Sequence, residues 1–216
     1  MQITIREPGS AITHYIGMLL SLFAAAPLLV KAGISQIPFA ITAMSIFILA
    51  MILLYAASTI YHSINVKDGI LKIFRKVDHM MIFVLIAGTY TPVCMLTLGG
   101  KTGMFLLAAV WGIAVFGILL KIFWINCPRW FSSIIYIAMG WVCLFVLPTL
   151  VTKLSTAAFL WLLAGGILYT AGGVIYALKL KGFNQTHKYF GSHEIFHLFV
   201  MAGSFCHFIV MYCFII

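Results

Sequence analysis

The sequence predicts an all-α membrane protein of seven transmembrane helices, with the N-terminus in the cytoplasm and the C-terminus outside. Three observations lead there. The 216 residues are 64% hydrophobic and only 8% charged, with a mean hydropathy of +1.15, whereas a soluble domain is about half apolar and roughly a quarter charged. The apolar residues fall into seven stretches, each near the length of about 20 residues that a helix needs to cross the hydrocarbon layer. Lys and Arg gather in alternate gaps between those stretches. Together these exclude a soluble globular enzyme, a disordered chain and a secreted disulfide scaffold. Seven spans use about 140 residues, so residues 1–216 read as a single membrane domain with no room for a soluble one.

The stretches run near 12–30, 38–62, 78–98, 104–124, 131–149, 157–178 and 193–215. In the first, Arg6 precedes an apolar run in which Ala24-Ala25-Ala26 mimics a signal-peptide cleavage site. Pro27 follows directly and the run continues through Val30, so the expectation is a retained helix. The second lies between the turn signals Gly33 to Pro38 and Asn65 to Lys76. In the third, Pro92 removes a backbone donor and is expected to leave the Gly88 carbonyl short of a partner, with a local kink. Gly99-Gly100-Lys101 separates the third from the fourth, and Asn126-Cys127-Pro128 the fourth from the fifth. The sixth carries Ala164-Gly165-Gly166 and Ala171-Gly172-Gly173, a small-residue stripe suited to close helix contact. Gly182 to Gly191 leads into the seventh. No stretch shows sustained period-two alternation, and backbone groups in hydrocarbon must pair internally, so all seven are helices.

Orientation follows from the basic residues. Arg6, Lys67, Lys72, Arg75, Lys76, Lys121, Arg129, Lys179, Lys181 and Lys188 fall on one side, and only Lys31, Lys101 and Lys153 on the other. The richer side is cytoplasmic. The net charge of +9 is therefore topological, and nucleic acid is not an expected partner. The five cysteines (Cys94, Cys127, Cys143, Cys206, Cys213) include no C-x-x-C pair, so they predict neither a disulfide framework nor a cysteine zinc site.

Ionisable residues inside membrane helices mark function by default. With this topology, Ser58 and His62 at the end of the second helix share the inner layer with Asp78 and His79, expected in the first turn of the third. His193 and His197, in the first two turns of the seventh, join them. Ser58 and His62 are four apart, as are His193 and His197, so each pair shares a helical face. Two imidazoles at that spacing can address one ion; a third from another helix leaves the fourth position of a tetrahedral zinc open for water. Asp78 can hold or deprotonate that water. The competing readings are an N-terminal helix charge or salt bridge for Asp78 beside Arg75 and Lys76, and a different direction for His79, about 100° round the helix from Asp78. His187 reads as interfacial and His14 as a neighbour of the site. His207, ten residues beyond His197, lies about 15 Å deeper, where it lines a cavity or bonds another helix. His193-Glu194-Ile195-Phe196-His197 also matches H-E-x-x-H, the metalloprotease pattern with Glu as general base.

Ser58-x-x-x-His62, Arg75-Lys76-Val77-Asp78-His79, Ala87-Gly88-Thr89-Tyr90-Thr91-Pro92 and His193-x-x-x-His197 together resemble the hemolysin III branch of the progestin and adipoQ receptor (PAQR) family. Glu7 through Thr13-His14-Tyr15-Ile16-Gly17 resembles it too, with Ser10 where an Asn is usual. The resemblance covers essentially the whole chain. It implies seven helices with the N-terminus inside, a bacterial plasma-membrane location, and zinc held by His62, His193 and His197, with Asp78 near the metal-bound water and Ser58 beside the site. Related eukaryotic receptors and alkaline ceramidases share the pattern, which implies metal-assisted hydrolysis of a lipid amide. The family assigns no general-base role to the position of Glu194, and the long N-terminal region of the hormone receptors is not part of this pattern.

Two classes of function follow. One is a zinc hydrolase acting on an amide or ester bond of a membrane lipid, with Asp78 moving the proton and Ser58 bonding the oxyanion. The other is a non-enzymatic sensor, receptor or cytolytic protein in which zinc clamps the second, third and seventh helices. An intramembrane metalloprotease is a third, weaker reading.

Overall fold

The structure, a computed structural model, describes residues 5–187 and 190–216; Lys188, counted above in the charge pattern, lies outside the described residues. Seven spans are long and apolar enough to cross a membrane: Pro8–Ile34, Ala40–Ser63, Asp68–Leu98, Gly100–Phe123, Arg129–Lys153, Thr156–Leu178 and Ser192–Ile215. The helices are α1 (Pro8–Ile34), α2 (Ala40–Ser63), α3 (Asp68–Pro92), α4 (Gly100–Phe123), α5 (Arg129–Gly140), α6 (Leu147–Lys153), α7 (Thr156–Leu178), α8 (Lys181–Thr186) and α9 (Ser192–Val210). No strand occurs among the described residues.

Packing runs α1 to α2 to α3 to α5 to α7 to α9 and back to α1, while α4 packs on α3. That closed circuit surrounds the interior cavity described below. The α7–α9 contact is close because glycines on α7 face two ways. Gly165 and Gly172 lie against His207 and Phe199 of α9, whereas Gly166 and Gly173 face Trp141 and Ile137. The small-residue stripe thus serves two neighbours, one on each side.

Two elements differ from the sequence pattern. Helix α3 begins at Asp68, ten residues before the apolar run, because Asp68–Lys76 is an amphipathic turn sequence whose charges mask a continuous helix. Asp78 therefore sits about 15 Å along α3, not in its first turn. The fifth span is broken: α5 ends at Gly140, a 3-10 turn covers Val142–Val146, and α6 follows with Pro148 in its first turn. Pro148 has no N–H to continue the ladder. The backbone groups freed at the break are taken up by Tyr90, whose hydroxyl donates to the Gly140 carbonyl (2.6 Å) and accepts from the Cys143 N–H (2.9 Å). Buried backbone in a membrane needs such substitutes.

After Pro92, α3 continues as a π-helical turn, Val93–Leu98, and α9 ends in a second one, Met211–Ile215. Lys153 Nζ donates to the Leu98 carbonyl (2.6 Å) and Lys31 Nζ to that of Tyr212 (2.5 Å). Two of the three lysines on the charge-poor side thereby cap helix ends. On the charge-rich side Lys121 is buried and hydrogen-bonded to Ser132 (2.5 Å) and Cys127 (3.1 Å), so it is not a free interfacial charge.

A pair of glycines tests the packing. A methyl group at Gly88 would stand 2.5 Å from Ala50 Cβ and 3.3 Å from the Ile46 carbonyl oxygen, whereas one at Gly112 meets nothing within 4 Å. Gly88→Ala is expected to destabilise the detergent-solubilised protein by about 1–3 kcal/mol. Gly112→Ala should leave it unchanged or up to about 1 kcal/mol more stable. Thermal unfolding of the two variants side by side checks this.

Candidate metal centre

The site is assembled where the N-terminal segment crosses the end of α2. Backbone bonds from Glu7 N to the His62 carbonyl (3.0 Å) and Arg6 N to that of Ser63 (3.4 Å) tie the two together. This brings the Glu7 carboxylate onto His62 Nδ1. Partial burial alone would raise the Glu7 carboxyl, but the hydrogen bond with His62 and the Arg6 guanidinium beside it hold it below its ordinary value. An anion there accepts from the Nδ1–H of His62 and leaves Nε2 as the lone-pair nitrogen.

The same selection operates on α9. The Thr13 hydroxyl lies within hydrogen-bond distance of the Ser10 (2.9 Å) and Gly9 (3.0 Å) carbonyls, to which it donates. Its oxygen therefore accepts from His197 Nδ1, 3.0 Å away, and frees His197 Nε2. His193, one turn earlier, places Nε2 3.3 Å from Nε2 of His62. The three imidazoles offer ligand atoms that all lie within 4.8 Å of one another, and they are the group of this kind found among the described residues. They can hold a metal ion. His62 and His197 are buried, and His193 is partly so.

Ser58 and Asp78 line a cavity of about 400 Å³ together with His14, His79, His193 and His197, whereas His62 is not part of its wall. Beyond this polar end the wall is mostly apolar, formed by residues such as Leu54, Ile82, Leu85, Phe159 and Val200. Asp78 lies 3.3 Å from His79 Nδ1. The same Nδ1 is 2.8 Å from the Arg75 carbonyl, and Nε2 is 3.2 Å from the Tyr176 hydroxyl. His79 thus lines the cavity beside Asp78, contrary to the direction its 100° offset suggested. His14 stacks on His197 with ring centroids 3.5 Å apart and packs edge-on to Tyr55. His187 is exposed in the segment before α9. His207 lines the cavity farther along α9.

The unsatisfied polar atoms point to the same place. Buried side-chain nitrogens or oxygens without a partner occur at Arg6, His14, Ser133, His193 and His207 among the described residues; all but Arg6 belong to residues of the cavity wall. Native interiors leave few such atoms, so a cavity that collects them is built for a ligand or water. Glu7 and Thr13 entered the sequence reading only through the N-terminal motif. A usable signal was present: the chain has four acidic residues, and Glu7, Asp78 and Glu194 all belong to this region.

Glu194 has a different task from the one H-E-x-x-H suggests. Its carboxylate accepts from the Gly191 N–H (2.8 Å) and from the Ser10 hydroxyl, capping α9 and tying it to α1. It is not in the cavity wall. Glu194→Ala is expected to lower stability by about 1–2 kcal/mol, the cost of a lost helix cap. An unfolding curve superimposable on the wild type would contradict the capping role.

Comparison with known proteins follows the same lines. The chain matches the family described as Haemolysin-III related over residues 2–208. It is 39% identical to Hemolysin-3 of Bacillus cereus over 203 residues, 94% of this chain and 89% of that one. It is 40% identical to the Hemolysin-3 homolog of Bacillus subtilis (strain 168) over 215 residues, 97% and 96% of the two chains. A shorter stretch of 60 residues is 37% identical to the Adiponectin receptor protein of Drosophila melanogaster, covering 26% of this chain and 14% of the receptor. No solved structure matches. A seven-span helical bundle, the ordered motifs and the full-length match together show that the chain belongs to the Haemolysin-III related family.

Proposed function

We propose that the protein binds one zinc ion through His62, His193 and His197 and hydrolyses an amide or ester bond of a membrane lipid whose chain lies in the cavity. The observation that carries this reading is a cluster of three imidazoles, two of which (His193 and His197) line a largely apolar cavity with a carboxylate and a hydroxyl in the same wall. The donor set fits the ion. Two nitrogens on one tetrahedral zinc, each about 2.0–2.1 Å from it, stand roughly 3.3–3.4 Å apart; His62 and His193 Nε2 are 3.3 Å apart. Glu7 and Thr13 supply the outer hydrogen bonds that orient zinc-binding imidazoles.

When bound there, zinc polarises an acyl carbonyl and lowers the pKa of a coordinated water. The chain's own residues do the rest. Asp78, 3.3 Å from His79, takes a proton from the attacking water and returns it to the leaving group. The Ser58 hydroxyl donates to the oxyanion that develops on the carbonyl. The apolar wall takes the acyl chain and excludes bulk water. The charge pattern supports a cytoplasmic N-terminus and a cell-membrane location, with the site on the inner side.

A second reading has its own support: the three imidazoles join α2 to α9, so a metal there stabilises the bundle without any chemistry. The protein would then be a sensor or, as the relatives' name has it, a haemolysin. Asp78 separates the two. Turnover of a panel of ceramides and other acyl-amide and ester lipids by the zinc-loaded protein is the test. Asp78→Asn should keep its zinc and lose about 10²–10⁴-fold in rate, and Ser58→Ala about 10²–10³-fold. No turnover by fully loaded wild type, with histidine substitutions lowering the unfolding temperature and Asp78→Asn leaving it unchanged, would overturn the hydrolase reading in favour of the structural one.

A further inference from the structure

The far part of the cavity holds a polar group that the proposed chemistry does not use. His207 lies ten residues beyond His197 on α9, about 15 Å along the axis. Its side chain is 93% buried and lines the cavity. Nδ1 has no hydrogen-bond partner. The ring is nevertheless held in place: it stacks on Tyr169 with centroids 5.3 Å apart. Gly165 of α7 also lies against the ring, and a methyl group there would come within 2.7 Å of Nε2. Neighbouring polar groups are already engaged. Tyr55 and Tyr169 both bond Ser204 (2.7 and 2.9 Å), and Trp141 Nε1 donates to Thr170 (2.9 Å). A buried imidazole nitrogen left without a partner costs free energy unless a ligand completes it.

We infer that His207 forms a second polar subsite, which recognises a hydroxyl group carried partway along the chain of the bound lipid. This rests on the reading of the cavity as a lipid site. A hydroxyl suits the position because it can donate to or accept from an imidazole nitrogen, whichever tautomer the ring adopts. An extended hydrocarbon advances about 1.25 Å per bond, from a bond length of about 1.5 Å and an angle near 111°. The axial distance from the histidine cluster to His207 therefore corresponds to roughly twelve bonds. The ligand class is a long-chain acyl lipid hydroxylated near its twelfth carbon.

Binding of stearate, 12-hydroxystearate and 7-hydroxystearate to the zinc-loaded, detergent-solubilised protein tests this. Wild type should bind 12-hydroxystearate about two- to tenfold tighter than stearate, the net contribution of one hydrogen bond. It should bind 7-hydroxystearate less tightly than 12-hydroxystearate, since a hydroxyl at that position falls short of His207. His207→Phe should abolish the preference while keeping stearate affinity. Gly165→Ala, which displaces the ring, should reduce the preference as well and decides the matter if His207→Phe fails to bind stearate. Equal binding of stearate and 12-hydroxystearate by wild type, or a preference that survives both substitutions, overturns the inference alone. Binding of none of the three acids overturns the lipid reading of the cavity and this inference with it.

Discussion

A polar group in hydrocarbon must find its partner inside the protein, and that requirement organises this fold. The backbone meets it by forming helices, and where a helix breaks a side chain steps in, as Tyr90 does at the end of α5. Lys31 and Lys153 do the same for the two π-helical ends. With these debts met elsewhere, the buried polar atoms that stay unpartnered are concentrated along one cavity. Their concentration there is the observation behind the ligand-binding role proposed for this cavity.

The metal-capable cluster depends on the same constraint. Three imidazoles side by side, two of them fully buried, are tolerable only if each ring's protons are assigned. Glu7 and Thr13 make that assignment for His62 and His197. Both acceptors arrive with the start of α1, so the first helix is a working part of the centre rather than a membrane anchor alone. Glu194 holds α1 against α9 through Ser10, which gives the acid of H-E-x-x-H a mechanical role.

Much of this was legible in the sequence, for identifiable reasons. The seven spans show because hydrocarbon length and apolar composition are properties of single segments. The pairs Ser58/His62 and His193/His197 show because a spacing of four is a helical face. The sequence places Asp78 in the first turn of its helix, whereas the helix starts nearly three turns earlier, since charged residues on an amphipathic end look like a loop to hydropathy. The break in the fifth span is signalled only by Gly140 and Pro148, and its repair by Tyr90 is a tertiary contact that no local pattern carries. The ties of Glu7 to His62 and Thr13 to His197 cross 55 and 184 residues. Only the scarcity of acids hinted at the first of them. The side for which His79 is used follows from Tyr176, on another helix.

The central claim is that His62, His193 and His197 bind one zinc ion with a fourth position left open. Zinc-edge X-ray absorption on protein purified without chelators addresses it directly. The account predicts about one zinc per chain, with three imidazole nitrogens and a lighter oxygen donor, all near 2.0–2.1 Å. A sulfur shell at about 2.3 Å, four imidazoles, or protein that neither carries zinc nor takes it up would contradict it.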